Sequence, residues 1–154
     1  MICFEVFGIP KPKGSMKAFM RAGMRHPVVT HDNLGTRPWA SLVSCEAMRH
    51  RPSKLWAGPI WLNLHFTLPK PKGLPKTRAS WHLRKPDCDK LQRTILDSLK
   101  GIFYLDDAQV IHIDSTKIYG DTPSVIIEAE ELTMEDHYHL LKERHIHDGT
   151  YEHD

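Results

Sequence analysis

The chain has 154 residues, 40% of them hydrophobic, which is enough for one well-buried core and short for two. It contains no run of 18 apolar residues and no charged-then-apolar leader, which argues against a membrane-spanning helix and predicts an unexported, cytoplasmic protein. Cys3, Cys45 and Cys88 form no C-x-x-C pair and suit reduced thiols better than a disulfide frame or a zinc site.

The formal charge of +2 conceals an asymmetry. Residues 1–100 carry 18 of the 21 Lys and Arg but 6 of the 19 Asp and Glu, a balance of +12 against −10 for the remainder. That division predicts a basic nucleic-acid face with an acidic end elsewhere, unless the two halves neutralise each other in the fold.

In chain order, Ile2, Phe4 and Val6 alternate with Cys3, Glu5 and Phe7, which predicts a first strand over Ile2–Gly8. Pro10, Pro12 and Gly14, with Lys11, Lys13 and Lys17, then predict a basic loop. From Pro38 to about His50, Leu42, Val43, Ala47 and Met48 recur at helical spacing. Trp39 in the same stretch suits a core or a dimer interface. Ile60, Leu62, Leu64, Phe66 and Leu68 share one face of a half-buried strand.

Residues 69–86 are proline-rich and basic without apolar periodicity, which predicts an exposed loop. Pro86 and the acids after it predict a helix from Asp87 or Asp89, with Leu91, Ile95 and Leu99 as its buried stripe. Val110–Ile118 and Val125–Ala129 read as strands around a Gly120–Pro123 turn. A Thr133/Asp136 capping pair predicts a short last helix with Met134, Tyr138 and Leu141 on its apolar face. The pattern predicts one α+β domain over 1–132, a small mixed sheet packed with helices, and an acidic, His-containing helix or tail over 133–154. Within that tail, His137, His139, His145, His147 and His153 have spacings that face apart on a helix, so solvent exposure is expected rather than a metal site.

The carboxylates carry the chemistry. On the predicted helix Asp89, Arg93 and Asp97 fall at i, i+4 and i+8, an acid-base-acid row oblique to the apolar stripe. Asp87 stands at the helix entrance, and Asp106 and Asp107 in the turn before the next strand. If that strand lies beside the helix start, Asp87, Asp89 and Asp107 converge on one Mg²⁺ or Mn²⁺, whose preferred ligands are such hard oxygens. Phosphodiester hydrolysis uses such a set, with Arg93 placed to grip phosphate or stabilise developing charge. The structural alternatives are a helix cap for Asp87 or Asp89, a turn for Asp106 and Asp107, and a surface partner role for Arg93.

The sequence KPDCDKLQRTILDSL over residues 85–99, with FYLDDAQV over 103–110 and Lys117, resembles the RusA family of Holliday junction resolvases. Its pattern runs approximately K-P-D-x-D-N-L-x-K-x-x-x-D-x-L, then D-D-x-Q-V and a later Lys. The match covers about residues 84–117, and the strand with its Pro- and Lys-rich loop at 4–17 is also similar. The resemblance implies a homodimeric, often phage-encoded endonuclease of DNA recombination and repair. Such an enzyme makes paired nicks in a four-way junction with Mg²⁺ or Mn²⁺.

Carried across, the metal carboxylates fall on Asp87, Asp89 and Asp107, with Asp106 as the neighbouring acid and Arg93 at the catalytic Lys. Arg keeps the charge but cannot donate a proton near neutral pH, and Lys90 replaces the pattern's Asn. DNA-backbone contacts are expected from Lys11, Lys13, Lys17, Lys72, Lys76, Arg78, Arg84, Lys85, Lys90 and Lys117, and Trp81 is a candidate for stacking on bases at an opened junction. A non-catalytic junction binder and a nuclease for other branched DNA are the alternative readings.

Overall fold

The computed structural model describes residues 1–14, 16–19, 28–31, 35–73, 81–133 and 135–136, with the backbone alone for 16–19 and 28–31. Its strands are β1 (Ile2–Phe7), β2 (Met16–Phe19), β3 (Val28–His31), β4 (Ile60–Pro69), β5 (Val110–Gly120) and β6 (Ser124–Glu131). Two helices, α1 (Thr36–Arg49) and α2 (Cys88–Leu99), and a short 3₁₀ turn over Asp107–Gln109 complete the described elements.

The period-two pattern of β4 puts Ile60, Leu62, Leu64, Phe66 and Leu68 inside, each at most 2% exposed. Such a strand belongs in the middle, and β4 is flanked by β6 and β5 in a sheet of order β1-β6-β4-β5. β6 runs antiparallel to β1 and to β4, whereas β5 runs parallel to β4. Parallel neighbours need a crossover, and the segment that contains α2 supplies it. The architecture is therefore α+β with a mixed sheet, as the sequence predicts.

The stripe Leu91, Ile95 and Leu99 of α2 is fully buried, with Leu96 and Ile102 packed beside it. It meets Trp39, Val43 and Ala47 of α1 and the inward residues of β1, β4 and β6 in one core. Each fully buried Leu or Ile contributes about 1.5–3 kcal/mol relative to exposure. On α1 the expected face is corrected. Trp39, Val43 and Ala47 form the i, i+4, i+8 stripe, while Leu42 and Met48 are 45% and 47% exposed. Leu42 lies one helical step, about 100°, away from Val43 and so falls off the buried line.

Two short strands were not predicted. β2 and β3 pair antiparallel from Met16↔His31 to Phe19↔Val28, so Lys17 lies in a strand and not in the predicted loop. Four-residue strands are too short to show a period by themselves, and pairing defines them. Before them, Gly8 (φ +140°) turns the chain out of β1, where a Cβ would stand 3.0 Å from the Trp39 ring.

At the other end, Asp136 N–H donates to Thr133 Oγ1 and Thr133 N–H to Asp136 Oδ2, the expected capping pair. Met134, Tyr138, Leu141 and the five tail histidines lie outside the described residues. Among the described residues no helix is long and apolar enough to cross a membrane, and the three cysteines are free thiols.

Candidate active site

The entrance of α2 is built by a segment pinned to the edge strand β5. Trp81 bridges Ile118, and the His82 N–H donates to the Lys117 carbonyl. The Lys117 Nζ then donates to the carbonyls of Arg84 (2.8 Å) and Pro86 (2.7 Å), and the Lys85–Pro86 peptide is cis. The predicted DNA contact is thus engaged in the protein itself, with two of its three donors committed to the loop that ends in Asp87.

Asp87 takes the N-cap position of α2, yet its carboxylate makes no capping hydrogen bond. It ion-pairs instead with Lys90 at 3.2 Å. Asp89 is exposed in the first turn, where the helix dipole favours negative charge. Two carboxylates separated by one residue therefore stand at the helix entrance with oxygens not spent on capping.

The acid-base-acid row also lies on α2, with a third element laid along it. The Lys13 N–H donates to the Lys90 carbonyl, and its Nζ reaches the Asp97 carboxylate. Lys90 and Lys13 hold Asp87 and Asp97, whereas Arg93 is exposed and has no ion pair among the described residues. Its guanidinium is available to an outside anion.

The second pair of motif acids lies past the far end of the helix. Lys100, the C-cap residue, donates to Asp106 (2.7 Å) and Asp107 (3.4 Å). The Lys100 hydrogen bond and the Ala108 N–H hold the Asp106 carboxyl down at about 2, and Asp106 in turn raises Lys100. Asp106 and Gln109 form a capping box around the 3₁₀ turn. Gln109 accepts from the Leu105 and Asp106 N–H groups and donates to the Trp56 and Gly58 carbonyls. That structural role was not foreseen, although the acid-x-x-Gln spacing from Asp106 is the sequence signal for it. Tyr104 donates to the Leu96 carbonyl, and burial followed by the Asp107 and Asp97 charges pushes its hydroxyl pKa upward.

Within one chain the expected convergence on a single cation is not formed. Asp89 and Lys100 are eleven residues apart, about 16 Å along an α-helix. Among the described residues no three His, Cys, Asp or Glu side chains are grouped to hold an ion. Of the predicted DNA contacts, Lys11, Lys85 and Lys90 line a cleft beside Asp87, while Arg84 and Lys72 are exposed. Lys76, Arg78 and the Lys17 side chain lie outside the described residues.

Comparison with known proteins decides the family. The family model described as Endodeoxyribonuclease RusA matches residues 9–130, most of the chain. The chain belongs to the RusA family. Among similar proteins, an uncharacterized protein YqaN of Bacillus subtilis (strain 168) is 27% identical over 141 residues, 86% of this chain and 97% of that protein. A crossover junction endodeoxyribonuclease rusA of Lactococcus phage r1t is 22% identical over 126 residues, 81% of this chain and 86% of that protein. The matched RusA region contains both ends of α2 and every motif acid named above.

Proposed function

We propose that the chain is a divalent-metal-dependent endodeoxyribonuclease that resolves four-way DNA junctions, working as a homodimer. The observation that carries this reading is the placement of Asp87, free of capping bonds, beside Lys11, Lys85 and Lys90, with Asp89 exposed in the first turn of the helix, in a RusA-family chain. The related phage protein, which bears the crossover junction name, supports the same reaction class.

The donor chemistry fits a hard dication. Two carboxylates at the helix entrance offer the oxygens that Mg²⁺ or Mn²⁺ prefers, and the family motif assigns Asp107 to the same cation. In this reading Asp107, with Asp106 beside it, comes from a second copy. An isologous two-fold contact brings the far end of one α2 to the near end of the other and makes two equal sites. Two symmetric sites also match the approximate two-fold symmetry of a four-way junction.

When bound, the cation neutralises phosphate charge and makes water a competent nucleophile. The protein supplies the rest. Lys11, Arg84 and Lys85 hold the DNA backbone, which fixes register without reading sequence. Lys117 fixes the loop that presents Asp87, and Arg93 stabilises charge that develops on the phosphate. Arg93 cannot be the proton donor to the leaving oxygen.

A second reading, a non-catalytic junction binder, rests on Arg93 in place of the family's Lys. Cleavage of a synthetic four-way junction, with linear duplex as control, in Mg²⁺, Mn²⁺ or EDTA separates the two. Paired metal-dependent nicks in the junction alone are expected. Tight binding without nicks in either metal overturns the nuclease reading in favour of the binder.

A further inference from the structure

Between the loop after β1, the end of β4 and the entrance of α2 is a cleft of about 420 Å³, within the range of small-ligand sites. Four of its eleven lining residues are prolines, Pro10, Pro12, Pro69 and Pro86, whose rings give flat, stiff walls without N–H donors. Lys11, Lys85 and Lys90 add three cations to the same cleft, and Asp87 adds a candidate metal ligand.

His82 also lines it. That side chain is 7% exposed and its ring is 4.4 Å from Tyr119, yet its Nδ1 is buried with no hydrogen-bond partner among the described residues. A buried polar atom without a partner is unfavourable, and a ligand that supplies the partner removes the cost.

These features select a ligand class. A groove for the phosphate backbone alone has no use for apolar walls. A cavity for an apolar ligand has no use for three ammonium groups. A single nucleotide has both a flat base and an anionic phosphate, and enzymes that act on extruded bases hold them between aromatic and apolar side chains.

We propose that the cleft receives one unpaired nucleotide of the strand to be cut, with its base between the proline walls and its edge toward His82. Its phosphate lies among Lys11, Lys85 and Lys90. Asp87 lines the same cleft, so the captured nucleotide neighbours the phosphate that is cut and its identity sets the cleavage preference. The inference rests on the junction-nuclease reading.

The test uses four-way junctions carrying 2-aminopurine at each position around the cut, with the full chain in EDTA, and then cutting in Mg²⁺ with each of the four bases at the responding position. Wild type is compared with Ile9→Trp, which fills the cleft from a residue 48% exposed, and with His82→Phe, which keeps an aromatic ring against Tyr119. Wild type should raise fluorescence several-fold at one position. At protein concentrations that saturate the junction, Ile9→Trp should abolish that rise, and His82→Phe should reduce base preference about tenfold. A wild type that nicks junctions without unstacking any base overturns the proposal, as does a signal and preference that survive both variants. A wild type that nicks no junction in either metal overturns the nuclease reading, and this proposal with it.

Discussion

The Lys117 ammonium donates to the Pro86 carbonyl at 2.7 Å, so a side chain of the edge strand β5 holds the residue immediately before Asp87. Its second bond, to the Arg84 carbonyl, makes the grip two-point. In the proposed function the family's later Lys is therefore a positioning residue that works through the backbone of the loop.

Lys117→Met should lower junction cleavage by about tenfold to a hundredfold, because small displacements at a reacting centre cost that much. Junction affinity and its salt dependence should change little. A phosphate-contacting Lys would instead reduce the salt slope by about 1 when removed. Binding measured across a salt series, beside single-turnover cleavage, separates the two roles. Partial rescue by Lys117→Arg is expected.

Gln109→Ala removes four hydrogen bonds, two that close the turn on the Leu105 and Asp106 N–H groups and two that tie it to the Trp56 and Gly58 carbonyls. A loss of about 1–3 kcal/mol is expected, chiefly from the groups left unpaired. Urea unfolding measures it, and an unchanged midpoint would contradict the structural role.

Ile95 is fully buried, whereas Leu42 is 45% exposed. Ile95→Ala should cost about 2–5 kcal/mol and Leu42→Ala less than about 1 kcal/mol. Equal costs would mean that α1 presents a different face to the core.

Burial, followed by the charges of Lys117 and Arg84, holds the His82 imidazole below its ordinary value of 6.5. The unfolded chain therefore takes up a proton first as pH falls below about 6.5, and the folded chain loses stability from there down to its own lower pKa. Below that value no further loss comes from this group. Urea midpoints at pH 7.5 and 5.5 should diverge more for wild type than for His82→Phe.

Much of this arrangement was legible in the residues. The alternation from Ile60 to Leu68 marked the central strand, and Leu91, Ile95 and Leu99 marked the helix that carries the acids. The family motif located the acids along the chain but not in space. Its Asp87-x-Asp89 and Asp106-Asp107 pairs belong to opposite ends of α2, a separation fixed by helix length and invisible to spacing rules that compare types of residue. Lys117 and Gln109 looked like a DNA contact and an unexplained motif position. In the fold Lys117 also holds the Pro86 carbonyl, 31 residues away, and Gln109 the Gly58 carbonyl, 51 residues away, and nothing local in the sequence announces those two long-range bonds. β2 and β3 were missed because pairing, not pattern, makes strands of four residues.

In the proposed dimer Asp87 and Asp89 of one copy work with Asp107 of another. Asp89→Asn and Asp107→Asn, each purified and inactive alone, should be mixed under conditions of subunit exchange and given a four-way junction in Mg²⁺. A shared site leaves each mixed dimer one intact set of acids, so single nicks should appear on mixing. No nicks from the exchanged mixture, with wild type cutting in parallel, would contradict the shared site and put all the acids back within one chain.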